Sequence, residues 1–125
     1  INIWYMDFSK KYLPLTNKQN KNIVRDIYMK IRLSAAILTF KIYQTRKANC
    51  EDIEYKNLIK NIKLLKQMSL NPKYKNQTFY YEGIFKDSAW TYTKLQVTEK
   101  YCPKLKEEAK EIMKYFNKEE LENKL

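Results

Sequence analysis

The sequence predicts a mainly α protein, a small bundle of four or five helices around a central buried helix. Apolar residues recur at three- and four-residue steps along residues 17–47, the period of one helical face. Apolar side chains make up 44% of the 125 residues and aromatic ones 14%, enough for a packed core and too many for a disordered chain. One Gly and three Pro leave little room for glycine-rich loops. Residues 1–125 read as a single helical domain.

Residues 1–16 form an irregular aromatic lead-in that Pro14 stops, and Thr16 is placed to cap the central helix. That helix spans 17–47. Val24, Tyr28, Ile31, Ala35, Leu38 and Ile42 make one stripe. Met29, Leu33, Ala36, Phe40 and Tyr43 make another, so neighbours should cover this helix on several sides. A second helix is expected over 50–69, capped by Asn49, with Glu51 and Asp52 at the positive end of its dipole. Tyr55, Leu58, Ile59, Ile62 and Leu65 form its buried face, and Asn71-Pro72 ends it.

Residues 73–101 fit two patterns. FYYEGIF and WTYTKLQV have the aromatic and β-branched content of strands, which places a short β-hairpin near residues 79–97. A helix starting after Ser88 fits as well, and the helical character of the rest favours it. Residues 103–117 form a further helix with Pro103 at its first position. Asn117 and Glu120 then resemble the cap of a short final helix.

With no His, the chain cannot build a catalytic triad, a Cys-His dyad or a His-based zinc site, and one Gly excludes glycine-rich phosphate loops. No catalytic residue, metal or cofactor is therefore expected. Glu107 and Glu111 share a helical face, but Lys104, Lys110 and Lys114 surround them, which points to ordinary helix salt links. The longest apolar run, residues 33–40, is too short to span a membrane.

The net charge is +11, and it is unevenly placed. Residues 1–78 carry 16 basic and 5 acidic side chains, whereas residues 79–125 carry nine of each. The 22 Lys and 11 Asn suggest drift in an AT-rich genome, but drift alone does not predict that asymmetry. A basic half attracts an acidic protein, a phosphate backbone or, less favoured, an anionic membrane surface.

Arg25, Arg32 and Arg46 fall at multiples of seven residues on the central helix, joined by Lys21. They read either as ligands for carboxylate or phosphate or as core-edge groups paired with Glu107, Glu108 and Glu111. Lys56, Lys60 and Lys63 form a basic row that is a solvated face or a binding face. In residues 73–101, Tyr80, Tyr81, Trp90 and Tyr92 are candidate contact residues, since interfaces favour rigid aromatics. Core packing competes for the same rings. The favoured function is a non-enzymatic protein-binding module (an inhibitor, an immunity-type protein or an assembly subunit), with the basic half steering an acidic partner. The alternative is nucleic-acid binding through Lys21, Arg25, Arg32, Lys56, Lys60 and Lys63.

Cys50 and Cys102 fit either a disulfide or two buried thiols. Closing so long a loop is worth about 4 kcal/mol in the loop-entropy model. The start at Ile1, inside an apolar segment, slightly favours an extracytoplasmic or secreted setting over the cytoplasm. Asn76-Gln77-Thr78 matches a glycosylation acceptor, a pattern that arises often by chance.

Overall fold

A computed structural model of the chain describes residues 22–123. Among them it contains helices and no strand. The order is α1 (Ile23–Thr45), α2 (Ile53–Leu70), α3 (Thr78–Phe85), α4 (Ala89–Tyr101), a 3-10 turn (Pro103–Leu105), α5 (Lys106–Met113) and α6 (Lys118–Glu122). Thr16, the expected cap, and the basic residue Lys21 lie outside the described residues.

The central helix carries the stripes that the periodicity predicts, but it starts at Ile23 rather than at residue 17 and ends at Thr45. α1 packs against α2, α3 and α4. Val24, Ile31, Ala35, Ala36 and Leu38 are essentially without solvent contact. Solvent does reach the far end of α1, where Tyr43 is exposed. Asn22 caps the start by accepting the Arg25 amide. Arg46 closes the end with φ 62°, a left-handed conformation usually given to Gly, and its amide donates to the Ile42 carbonyl.

α2 starts three residues later than its sequence suggests. Asn49 and Cys50 belong to the preceding turn, and Asp52 is the cap, accepting the Glu54 amide at 2.9 Å. Lys41 of α1 holds the other oxygen of the same carboxylate at 2.7 Å. Burial works to raise the Asp52 pKa, but the Lys41 hydrogen bond, the Glu54 amide and the Lys41 charge together keep it below its ordinary value. This contribution is present above the unfolded carboxylate pKa and is lost as pH falls through the folded one.

The hairpin expected near residues 79–97 is replaced by two helices. Tyr81, Ile84 and Phe85 on α3, and Thr91, Tyr92, Leu95 and Thr98 on α4, are buried at three- and four-residue spacing. A strand would instead group Tyr80, Glu82 and Ile84 on one face, mixing a carboxylate into the core. An isolated hairpin also has no third strand to support it. Ser88 caps α4, as the helical alternative requires, with its Oγ 3.3 Å from the Thr91 amide.

Gly83 sits where α3 crosses α1. A Cβ there would lie 2.8 Å from Cε2 of the Tyr28 ring, which is itself buried against Tyr80. Gly83→Ala should therefore lower stability by roughly 1–2 kcal/mol, the overpacking cost exceeding the helix-propensity gain. A chemical-denaturation midpoint checks this, and a rise would place the glycine in open space.

Lys94 of α4 is 9% exposed, and its ammonium meets only the Thr93 hydroxyl at 3.3 Å among the described residues. Burial holds its pKa below the lysine value of 10.5. The cost of burying the charge is full at neutral pH and fades as pH rises from the folded pKa toward the unfolded one. Lys94→Met should raise Tm at pH 7 by roughly 5 °C, what about 1 kcal/mol is worth in a domain this size. It should also remove that alkaline gain, which a Tm-against-pH series reads directly.

Cys50 and Cys102 form a disulfide, with Cα atoms 5.6 Å apart and 52 residues of separation. It joins the turn before α2 to the junction of α4 and the 3-10 turn. The expected helix 103–117 divides into that turn and α5, and Asn117 then caps α6 by accepting the Glu120 amide.

Candidate functional site

The arginines do not form one ligand face. Arg32 is half-buried: its guanidinium lies 5.5 Å from the Tyr28 ring centre, and Nη1 points to the Gly83 carbonyl at 3.5 Å, in the last turn of α3. A cation at a helix C-terminus is favourably placed. Arg46 lies past the end of α1, exposed, over the Tyr43 ring at 4.9 Å. Its left-handed backbone removes it from the helical stripe. Arg25 is partly buried in the first turn of α1. The alternative pairing of the arginines with the last helices takes a different form. Glu108 bonds Lys63 at 3.1 Å and Glu111 bonds Lys114 at 3.2 Å.

The aromatic candidates also divide. Tyr81 and Tyr92 are core residues, 7% and 2% exposed, so their rings are withdrawn from any surface contact. Tyr81 donates to the Tyr74 carbonyl at 2.7 Å, and burial raises its pKa. Burial also raises that of Tyr92, with Glu122 and Glu99 adding to the effect. Helical spacing explains both: their positions repeat with Ile84 and Leu95 on the core side. Tyr80 is half-buried between Tyr28 and Phe79. Trp90 remains exposed, as do Phe79 and Tyr101, which the sequence did not single out for contact.

The lysine row is the candidate group that lines a groove. α2 buries Tyr55, Leu58, Ile59, Ile62 and Leu65 and turns Lys56 and Lys60 outward. Alongside them runs a groove of about 630 Å³ between α2 and the 3-10 turn and α5. Ile53, Ile59, Leu64 and Leu105 supply its apolar lining, and Lys56, Lys60 and Lys63 its basic one. Ile53 is 61% exposed although it opens a helix whose other isoleucines are buried. Lys56 and Lys60 form no ion pair among the described residues, whereas Lys63 reaches across the groove to Glu108. Lys60 also borders a second hollow of about 310 Å³, where Lys30 and Leu33 of α1 meet Glu54 and Asn61. One helix face thus joins apolar contact area to two unpaired cations.

Ile53, Leu105, Glu108 and Lys30 carry no signal in the sequence that marks them as site residues by themselves. The three groove residues belong together only because α5 docks beside α2, a contact between segments far apart in the chain. No group of three or more potential metal ligands occurs among the described residues, and no described helix is long and apolar enough to cross a membrane. Comparison with protein-family models, curated proteins and solved structures finds no match.

Proposed function

We propose that this protein acts by binding, and that it receives an acidic amphipathic helix of a partner protein in the groove between α2 and α5. The observation that carries this reading is the pairing of an apolar groove with the unpaired Lys56 and Lys60 on one helix. Helix-in-groove recognition needs apolar anchors for affinity and flanking charge for orientation and encounter rate. From Ile53 to Gln67 the α2 wall rises through about 21 Å, at about 1.5 Å per residue, which suits some four turns of a partner helix. Nucleic acid fits less well. No aromatic ring lines this groove for base stacking, Lys63 is neutralised by Glu108, and Arg32 is engaged within the fold. The disulfide suits an oxidising, extracytoplasmic setting.

The test uses a fluorescein-labelled acidic peptide, three repeats of the heptad Leu-Glu-Glu-Leu-Leu-Glu-Glu. Fluorescence anisotropy should show saturable binding that weakens about tenfold or more in the double variant Lys56→Glu, Lys60→Glu, as expected for reversing charges beside an interface. Unchanged binding by that variant contradicts the reading. So does a duplex-DNA mobility shift at physiological salt that the same variant abolishes, which would assign the face to phosphates.

A further inference from the structure

We infer that the Cys50–Cys102 disulfide clamps the mouth of this groove, so that reducing it weakens capture of an acidic helix. The inference rests on the groove reading and concerns its control. Each wall of the groove begins three residues after one of the two cysteines. Ile53, on the α2 wall, is three residues after Cys50, and Leu105, on the facing wall, is three residues after Cys102. The bond holds the two cysteine Cα atoms 5.6 Å apart, just ahead of both walls.

The other contacts at that mouth are partial. The 3-10 turn Pro103–Leu105 fully buries none of its residues, and Leu105 packs only partly buried against the core. The ion pair across the groove, Lys63 to Glu108, is about half exposed on both sides, and exposed pairs of this kind contribute little. Farther along, α5 is anchored by Ala109 and Ile112, both fully buried. Opening the bond therefore frees the turn and the first residues of α5 while the core contacts remain. A groove that must be re-formed by its ligand binds more weakly than one already shaped.

The reductant is a dithiol. Cys102 is 1% exposed and Cys50 is only partly buried, so the attacking thiolate reaches the Cys50 sulfur. It forms a mixed disulfide there, and Cys102 leaves as a thiolate that takes up a proton. The second thiol of the reductant, deprotonating, then closes the reductant's own disulfide and releases Cys50, which is protonated in turn. Two electrons and two protons pass to the protein, and the reductant is oxidised to its disulfide.

The experiment compares the oxidised 125-residue chain with the same chain reduced by dithiothreitol, in the cold. It records far-UV circular dichroism, hydrogen exchange and anisotropy with the acidic heptad peptide. The expected result is retained helical dichroism, faster exchange confined to amides of residues 104–109, and peptide affinity lowered about tenfold, the usual direction when preorganisation is lost. Unchanged exchange in residues 104–109 overturns the clamp, as does equal affinity of the folded reduced chain. Collapse of the helical signal on reduction also overturns it, since the bond would then staple the whole fold. If the oxidised chain does not bind the peptide, the groove reading itself fails, and with it the regulatory claim, even where the exchange change is seen.

Discussion

Replacing Cys50 and Cys102 together by Ser is expected to lower the unfolding free energy by up to about 4 kcal/mol. The bond spans 52 residues of separation, and in the loop-entropy model most of its effect lies in the unfolded chain, whose conformations it restricts. Against the roughly 5–15 kcal/mol of ordinary domains, that loss leaves the chain folded in the cold but lowers Tm by roughly 15–20 °C. Thermal melts of the oxidised and double-serine proteins measure the difference directly. Titration of the unfolded, unreduced chain should find no free thiol. Identical melts would mean that the bond constrains nothing of consequence.

The second large effect belongs to the contact between α1 and α2. Ile62 has no solvent exposure and lies in the core shared with Ile31, Leu38 and Leu65. Ile62→Ala should cost about 2–5 kcal/mol, the transfer free energy of the lost side chain plus the cavity left behind. Lys60, two residues earlier on the same helix, points to solvent. Lys60→Ala should change stability by no more than about 0.5 kcal/mol. Chemical denaturation of the pair therefore checks the rotational setting of α2. Equal losses, or a larger loss at Lys60, would turn the proposed groove face inward.

Periodicity made the core helices legible. The spacing of Val24, Ile31, Ala35 and Leu38 carries the central helix, and that of Tyr55, Leu58, Ile62 and Leu65 carries its partner. The same logic fails locally where residue type and spacing point to different structures. Tyr80, Tyr81 and Phe85 have strand-like chemistry but helical spacing, and the requirement to bury Tyr81 with Ile84 and Phe85 decides the outcome. In the sequence Gly83 is only the single glycine of a strand-like segment. It is instead the gap into which the Tyr28 ring fits, a role that only the crossing of α3 and α1 creates.

The candidate site was half visible. Lys56, Lys60 and Lys63 recur at helical steps, so their shared face is legible from the chain alone. Their apolar companion Leu105 and the carboxylate of Glu108 come from another part of the chain, and no local pattern links them to α2. The seven-residue spacing of the arginines was a misleading signal. Over 21 residues a straight helix drifts by about 60° from a strict heptad face, and Arg46 has already left the helix.

The most direct test of binding in the groove is a two-dimensional 15N–1H titration of the oxidised chain with the acidic heptad peptide. The expected shifts cluster at Ile53, Lys56, Lys60, Leu64, Leu105 and Glu108, and leave the amides of α3 unmoved. Shifts centred on Phe79 and Trp90 instead, with the groove amides silent, would contradict binding between α2 and α5.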